Sequence, residues 1–311
     1  MNPKICIIVA AYNAEKFLSK TIDGVLAQSF REWNLIVVND GSTDTTADIV
    51  QSYMLQDARL RLVSQLNQGC STARNTGLAS AGDAPYIIFL DSDDVWDPHA
   101  LTTLYEYFVR HPEHVGVYGS ARYIDKYDNP IRPGQLEHAC RIRATFVSGR
   151  VISLCPDEPM SFNTLVVDSC MATPGVVLMR HDAIKASGNF DTTLGHAEDW
   201  DFFLRLSRHG TYKFLDEVIL SYRMHDSNKS AQREKYREAF RRIRMKTMES
   251  RENTPEQRRV AIASYTASQR FFIAEKSKYI AAAVSNGDWP ESAMQFKYAM
   301  GHVAKLVRGR P

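Results

Sequence analysis

A chain of 311 residues, 44% of them hydrophobic and 24% charged, can bury the core of one large domain or two smaller ones, which excludes wholesale disorder. Net charge is only +2, yet residues 1–228 carry 20 Lys+Arg against 28 Asp+Glu, and residues 229–311 carry 18 against 8. An acidic body followed by a basic region is expected.

The five cysteines are odd in number and include no CxxC pair, which argues against a disulfide framework and a zinc site. The segment before the first strand is too short for a signal peptide, and no apolar stretch is long enough to span a bilayer. These features predict a soluble chain in the cytoplasm, with peripheral attachment to the inner face of the plasma membrane as the alternative.

Taken in order, Ile5-Cys6-Ile7-Ile8-Val9 reads as a buried strand with Ala10-Ala11-Tyr12-Asn13 as its exit. Residues 14–28 place Phe17, Leu18, Thr21, Ile22, Val25 and Leu26 on one helical face. Leu35-Ile36-Val37-Val38 is a second strand running into Asn39-Asp40-Gly41-Ser42-Thr43-Asp44. There Gly41 permits a tight turn, and Ser42, Thr43 or Asp44 can cap a helix reaching about Met54. Arg61-Leu62-Val63 is a short third strand, and a helix follows over 70–79. Tyr86-Ile87-Ile88-Phe89-Leu90 is a fourth strand, ending in Asp91-Ser92-Asp93-Asp94. Beyond it come a helix over 97–110, a strand over 115–124 and a looser stretch from Pro130 to Ser169. Gly175 to Met179 is a strand, a helix opens at Glu198, and Val218 to Tyr222 is a last strand. From about residue 231 the chain reads as helical, broken near Asn253-Thr254-Pro255 and near residues 286–290.

Alternating strands and helices predict parallel strands with right-handed crossovers, and ligands then bind beyond the strand C-terminal ends. Tyr12-Asn13, Asp40 and Asp91-Ser92-Asp93 all lie at such ends. Asp91 and Asp93 are two apart, so an extended backbone points them to the same side. Two like charges there call for a cation, and a hard divalent ion in turn attracts phosphate. The alternative is that these acids cap the helix beginning near Asp97-Pro98. No GxGxxG and no Walker lysine motif is present, so the usual phosphate cradles are absent.

Six segments in order resemble the inverting nucleotide-sugar glycosyltransferases of family 2, over about residues 4–230. They are Ala11-Tyr12-Asn13, Asp40-Gly41-Ser42-Thr43-Asp44, Ala73-Arg74-Asn75 with Gly77, Asp91-Ser92-Asp93-Asp94, Glu198-Asp199-Trp200-Asp201, and Tyr222-Arg223 with His225, Asn228 and Ser230. Ala10 departs from the family, which often has proline there.

The resemblance implies an α/β fold of the GT-A type: a mostly parallel central sheet flanked by helices, with a helical C-terminal extension. It divides the chain into a catalytic domain over 1–230 (a nucleotide-sugar half over 1–125, an acceptor half over 126–230) and a helical region over 231–311. By the same resemblance, Asp199 is the catalytic base. Ala11, Tyr12, Asn13, Asp40, Arg74, Asp91 and Ser92 bind the nucleotide-sugar, with Asp40 on the base and Tyr12 stacked on its ring. Asp93 and His225 hold Mn²⁺ or Mg²⁺, His225 having a diphosphate contact as its alternative, and Glu198, Trp200 and Asp201 meet the acceptor. Residue by residue, other readings stay open. Asp40 can tie its own turn, Arg74 can pair with neighbouring acids, and the acids at 198–201 can simply favour a helix N-terminus.

The donor implied is a nucleotide-diphospho-sugar, UDP-linked. The acceptor implied is a growing surface glycan or a lipid-linked sugar. Arg141, Arg143 and Arg150 are candidates for an acceptor diphosphate, with a solvated basic face as the alternative; Cys70, Trp96 and Trp200 are candidates for the sugar pocket. A nucleotidyltransferase, or an inactive transferase fold acting as a membrane-surface scaffold, is the rival reading.

The basic segment Arg233, Lys235, Arg237, Arg241, Arg242, Arg244 and Lys246, and the stripe Phe296, Met300, Val303 and Val307 beside Lys297, Lys305, Arg308 and Arg310, suit an anionic membrane surface. Packing on the acidic body, or a homodimer, suits them equally. No nucleic-acid recognition motif accompanies the charge, so nucleic acid is not an expected partner.

Overall fold

The computed structural model describes residues 3–141, 143–147, 150–155, 157–229 and 232–269. The expected break near residues 286–290, the stripe from Phe296 to Val307 and Ser230 lie outside them. The chain divides into two compact units, one of residues 1–145 with 152–239 and one of 146–151 with 240–311.

The first unit is built on an eight-stranded mixed sheet. β1 (Ile5–Ala11), β2 (Trp33–Asp40), β3 (Leu60–Gln65) and β4 (Tyr86–Asp91) alternate with α1 (Leu18–Leu26), α2 (Thr46–Met54) and α3 (Cys70–Ala79). They lie in the order β3-β2-β1-β4, all parallel. β1 is the centre of this half and is fully buried over Ile5–Val9, which is why its sequence is a continuous apolar run rather than an alternating one.

Beyond β4 the sheet changes character. β5 is the two-residue strand Val95–Trp96, and α4 (Ala100–Arg110) leads into the long β6 (His114–Ile124). α5 (Gln135–Arg141), a separate β7–β8 hairpin (Ala144–Val147, Arg150–Ser153) and α6 (Phe162–Leu165) occupy the loosely patterned stretch. A 3₁₀ turn at Pro174–Val176 feeds β9 (Val177–Arg180); α7 (His181–Ser187), α8 (Glu198–Leu206) and β10 (Thr211–Arg223) follow.

β9 inserts between β4 and β6 and runs antiparallel to both, and β5 pairs antiparallel with β10, so the parallel pairs are those within β3-β2-β1-β4 and that of β6 with β10. β10 is 13 residues long, far more than the five expected, because its first part pairs with β6 through register shifts that break the alternation.

Helix α3 packs directly over β1, and Gly77 is the reason it can. A Cβ at Gly77 would stand 2.3 Å from Ile8 Cγ2. At the β2 exit, Gly41 takes φ 73°, and a Cβ there would meet the Asn67 nitrogen at 2.6 Å.

From Phe240 on, the described residues of the second unit are mainly helical. α9 (Arg233–Glu249) begins in the first unit and continues into the second, and a further helix covers 255–269. Thr254 Oγ1 accepts from the Gln257 N–H (3.2 Å) and Gln257 Oε1 from the Thr254 N–H (3.0 Å). This reciprocal cap, with Pro255 at the first helical position, sets the expected break. Among the described residues no helix is long and apolar enough to cross a membrane.

Substituting Gly77→Ala forces α3 off β1 and is expected to lower unfolding stability by about 1–3 kcal/mol. Urea denaturation measures this, and an unchanged midpoint would contradict the close approach.

Candidate active site

The C-terminal ends of β1, β2 and β4 are adjacent, because those strands are neighbours in one parallel set. Ala11 pairs with Asn39 and Ala10 with Asp91, so Tyr12, Asp40 and Asp91 leave the sheet side by side. The exit loops are laced together. Asn13 takes a left-handed φ of 48°, with its Oδ1 accepting from the Thr43 N–H (2.9 Å) and its own N–H donating to Ser42 Oγ (3.0 Å). Tyr12 stands about half exposed at this rim (53%).

Asp40 is buried, and both of its oxygens are engaged. Gln65 Nε2 (2.7 Å) and the Gln68 N–H (2.9 Å) donate to Oδ1, and the Gly69 N–H (2.8 Å) donates to Oδ2. Asp40 therefore holds the loop that leads into α3.

Arg74 projects from α3 between two acids. It donates to Asp91 Oδ1 at 2.7 Å and to Glu198 Oε1 at 2.9 Å, joining residues 124 apart in sequence. Only 4% of Arg74 is exposed. Burial alone lowers a guanidinium's pKa, but Cys70, Asp91, Glu198 and Asp199 around it raise it well above its usual value, so the charge is kept. The other Asp91 oxygen accepts from Thr173 Oγ1 at 2.9 Å. Next along α3, Asn75 accepts from the Phe190 N–H and donates to the Phe190 carbonyl (2.9 and 3.0 Å). This pins the turn that precedes α8.

Asp199 sits in the first turn of α8. Its Oδ1 accepts from the Trp200 N–H at 2.8 Å. Burial, then the charge of Glu198, pushes its carboxyl up to about 6, with Arg74 opposing. The helix begins at Ala197, whose φ of 54° is left-handed, a conformation that costs a non-glycine residue about 1 kcal/mol.

Asp93 and Ser92 follow Asp91 in the turn at the end of β4, and Asp93 faces His225 across the site. His225 Nε2 lies 2.8 Å from Asp93 Oδ2, and the Ser227 N–H points at Nδ1 (3.3 Å). The imidazole proton is accordingly on Nε2 and donated to Asp93. One carboxylate and one imidazole are donors that a divalent transition metal accepts. Among the described residues no group of three or more His, Cys, Asp or Glu is arranged to hold a metal ion, so protein ligands alone do not fill a shell here.

Some expected contacts are corrected. Trp200 is fully buried and its indole N–H donates to the Leu165 carbonyl (2.8 Å). Asp201 is 1% exposed and pairs with Arg205 at 2.9 Å. Both face the core from α8 and not an acceptor, because residues one and two places beyond Asp199 turn to other faces of the helix. Trp96 likewise donates to the Gly175 carbonyl. Arg143 is buried on the carbonyls of Cys155 and Glu158, and Arg141 pairs with Asp216.

Other residues were named in the resembling segments without a site role, or not named at all. Asp94 is 1% exposed, and its Oδ1 accepts from the Arg223 N–H. Burial, then Asp93 and Asp91, drives its carboxyl well above the usual range. The fully buried Arg223 donates to the Asp93 carbonyl (2.8 Å) and pairs with Asp128. A Thr-Pro pair at 173–174 signals a cap, which Thr173 provides to Gly175, but nothing local signals its bond to Asp91.

The profile of the family described as "Glycosyl transferase family 2" matches residues 6–185. The chain belongs to that family. The matched span holds the exits of β1, β2 and β4 with Arg74, and ends before Asp199 and His225. Among relatives, "Glycosyltransferase GlyA" of Streptococcus pneumoniae is 37% identical over 117 residues, 38% of this chain and 17% of that protein. "Chondroitin synthase" of Escherichia coli is 26% identical over 228 residues, 73% of this chain and 30% of that protein. The chain thus matches well under half of these relatives' lengths.

Among solved structures, S. aureus TarS 1–349 in complex with UDP-GlcNAc superimposes with TM-score 0.65 at 19% identity, covering 86% of this chain and 72% of that one. The mannosyltransferase PcManGT from Pyrobaculum calidifontis, in complex with GDP-Man and Mn²⁺, gives TM-score 0.63 at 16% identity, covering 100% and 89%. The fold is that of the GT-A family 2 transferases.

Replacing Arg74 by Leu leaves Asp91 and Glu198 uncompensated and is expected to cost about 3 kcal/mol of stability, read by urea denaturation. A loss smaller than for an exposed arginine would contradict the bridge. Asp199 behaves oppositely. Folded Asp199 binds its proton more tightly than the unfolded chain does. Its contribution to stability is complete below the ordinary value of 3.8 and is lost as pH rises through about 6. The Asp199→Asn protein should melt above the parent by a margin that widens from acidic to neutral pH; a constant margin would contradict the raised carboxyl.

Proposed function

We propose that this family 2 member is an inverting glycosyltransferase that moves a sugar from a nucleotide-diphospho-sugar, UDP-linked, to a hydroxyl of a glycan or lipid-linked sugar in surface polysaccharide synthesis. The observation that carries this reading is Asp199, a carboxyl raised to about 6 and next in the chain to Glu198, which Arg74 ties to Asp91 at the strand ends. A base must be unprotonated at working pH yet basic enough to accept a hydroxyl proton as attack proceeds, and a raised carboxylate meets both demands.

In the proposed reaction the acceptor oxygen bonds to the anomeric carbon as the bond from that carbon to the diphosphate breaks. The acceptor proton passes to Asp199, whose Oδ1 is already oriented by the Trp200 N–H. Attack opposite the departing group inverts the anomeric carbon, through an oxocarbenium-like state as in glycoside hydrolysis. Arg74 fixes Asp91 and Glu198 so that neither drifts toward the metal or the sugar. Mn²⁺ or Mg²⁺, held by Asp93 and His225, would supply Lewis-acid stabilisation of the departing diphosphate; the imidazole in the set favours Mn²⁺.

Two structural neighbours, solved with UDP-GlcNAc and with GDP-Man, support a nucleotide-sugar donor. The base falls to the rim of Tyr12 and the loop that Asp40 holds. Residues 1–230 are proposed as the catalytic domain, working in the cytoplasm at the inner face of the membrane.

Isothermal titration with UDP should show binding that strengthens at least tenfold with Mn²⁺, and Asp93→Ala should abolish the strengthening. Asp199→Asn should bind UDP as the parent does while losing about a thousandfold or more in nucleotide release from the donor, within the range for a removed general base. The release rate of the parent should fall as pH drops below about 6, the value to which Asp199 is raised. Full activity in Asp199→Asn would sink the base assignment, and metal-independent binding would sink the metal site.

A further inference from the structure

The first turns of α9, through Ala239, belong to the same compact unit as the site, and they bring an aromatic group to the base. Tyr236 stands edge-to-face with His196, ring centroids 5.3 Å apart at 79°. His196 immediately precedes the Ala197–Asp199 turn. The Tyr236 hydroxyl is within electrostatic range of Asp199, Glu198, Asp91 and Arg74; burial first, then those three acids, keeps the phenol well above its usual pKa and therefore neutral. On the other ring, His196 lies against Gln232, while its Nε2 is buried without a hydrogen-bond partner among the described residues.

A neutral phenol beside carboxylates acts as a donor. A buried, unsatisfied imidazole nitrogen is costly unless a ligand meets it. Two aromatic rings with polar tips, next to carboxylates, match a pyranose, which presents apolar C–H faces and a rim of hydroxyls.

We propose that Tyr236 and His196 form the acceptor-sugar wall of the site, binding hydroxyls of a pyranose whose attacking oxygen reaches Asp199. The inference rests on the transferase reading. It also extends the working site past residue 230, into the helix that the sequence assigns to a separate basic region. Residue 236 touches substrate, and its loss acts on acceptor capture rather than on the donor.

The test uses the full chain with Mn²⁺ and a set of UDP-sugars, reading nucleotide release in water and then with methyl glycosides of glucose, galactose, N-acetylglucosamine, N-acetylgalactosamine and glucuronic acid. With the parent protein, at least one glycoside should accelerate release saturably. Tyr236→Phe should raise the half-saturating glycoside concentration about tenfold, the effect of one lost hydrogen bond, and Tyr236→Ala should raise it further. Both variants should keep the parent's UDP affinity, release in water and melting temperature, which separates capture from folding.

An unchanged half-saturating concentration in Tyr236→Ala overturns the proposal. Release from a donor that no glycoside accelerates overturns it as well. Should the two variants lose UDP binding or unfold, Tyr236 is structural and the proposal also falls. Failure of the underlying reading looks different: the parent then releases no nucleotide from any donor, or Asp199→Asn releases it at the parent's rate.

Discussion

The site depends on one ion-pair bridge, the Arg74 guanidinium between Asp91 and Glu198. Strand β4 delivers one acid and helix α8 the other, and among the described residues no backbone hydrogen bond joins those two elements. Without the cation the acids would repel across a half-buried gap, and either the helix would retreat or a proton would be taken up. With it, the helix that carries Asp199 is referenced to the strand that carries Asp93. Asn75 repeats the job one residue on, through the backbone of Phe190, and Phe190 stacks on Phe202 of α8 at 4.1 Å. A two-residue segment of α3 thus sets the distance between the proposed halves of the chemistry.

The first four strands were legible because β1, β2 and β4 are buried on both faces and read as unbroken apolar runs, and because their ends carry the polar residues. The approach of Asp40, Asp91 and Asp93 to one edge follows from parallel pairing alone. The antiparallel β9 was not legible: four residues give no periodicity, and direction is set by which neighbours are left to pair. β10 was half seen, since its register shifts against β6 scramble the alternation that marks a strand.

Within the site, residue types were more legible than their partners. The Asp91-Ser92-Asp93-Asp94 run flags charge at a strand end, but only packing decides that Asp94 turns inward to Arg223 while Asp93 turns out to His225. Asp40 illustrates the same limit. An aspartate after a strand is compatible with a ligand contact and with a turn tie, and here three donors from the Gln65–Gly69 loop meet it. Trp200 and Asp201 were assigned with the whole resembling segment 198–201, but on a helix successive residues are about 100° apart and do not share one face. Tyr236 was invisible because its neighbourhood is created by the return of a helix whose own pattern is merely basic.

The position of β9 also bears on the order in which the protein can be made. In the sheet it is the sole strand between β4 and β6, touching β4 through two residue pairs and β6 through three. A ribosome that has released residues 1–125 has supplied β1 to β4 and β6, yet nothing that can join them. β1 to β4 pair with one another and can settle as a local α/β layer, with the outer edge of β4 awaiting β9. β6 must wait for residues 177–180, and then for β10, before its edges are covered. Non-local pairing of this kind slows folding and leaves strand edges open to other chains. The longest-lived vulnerable surface of the nascent chain is therefore β6, and a helper that shields edges during synthesis would act there.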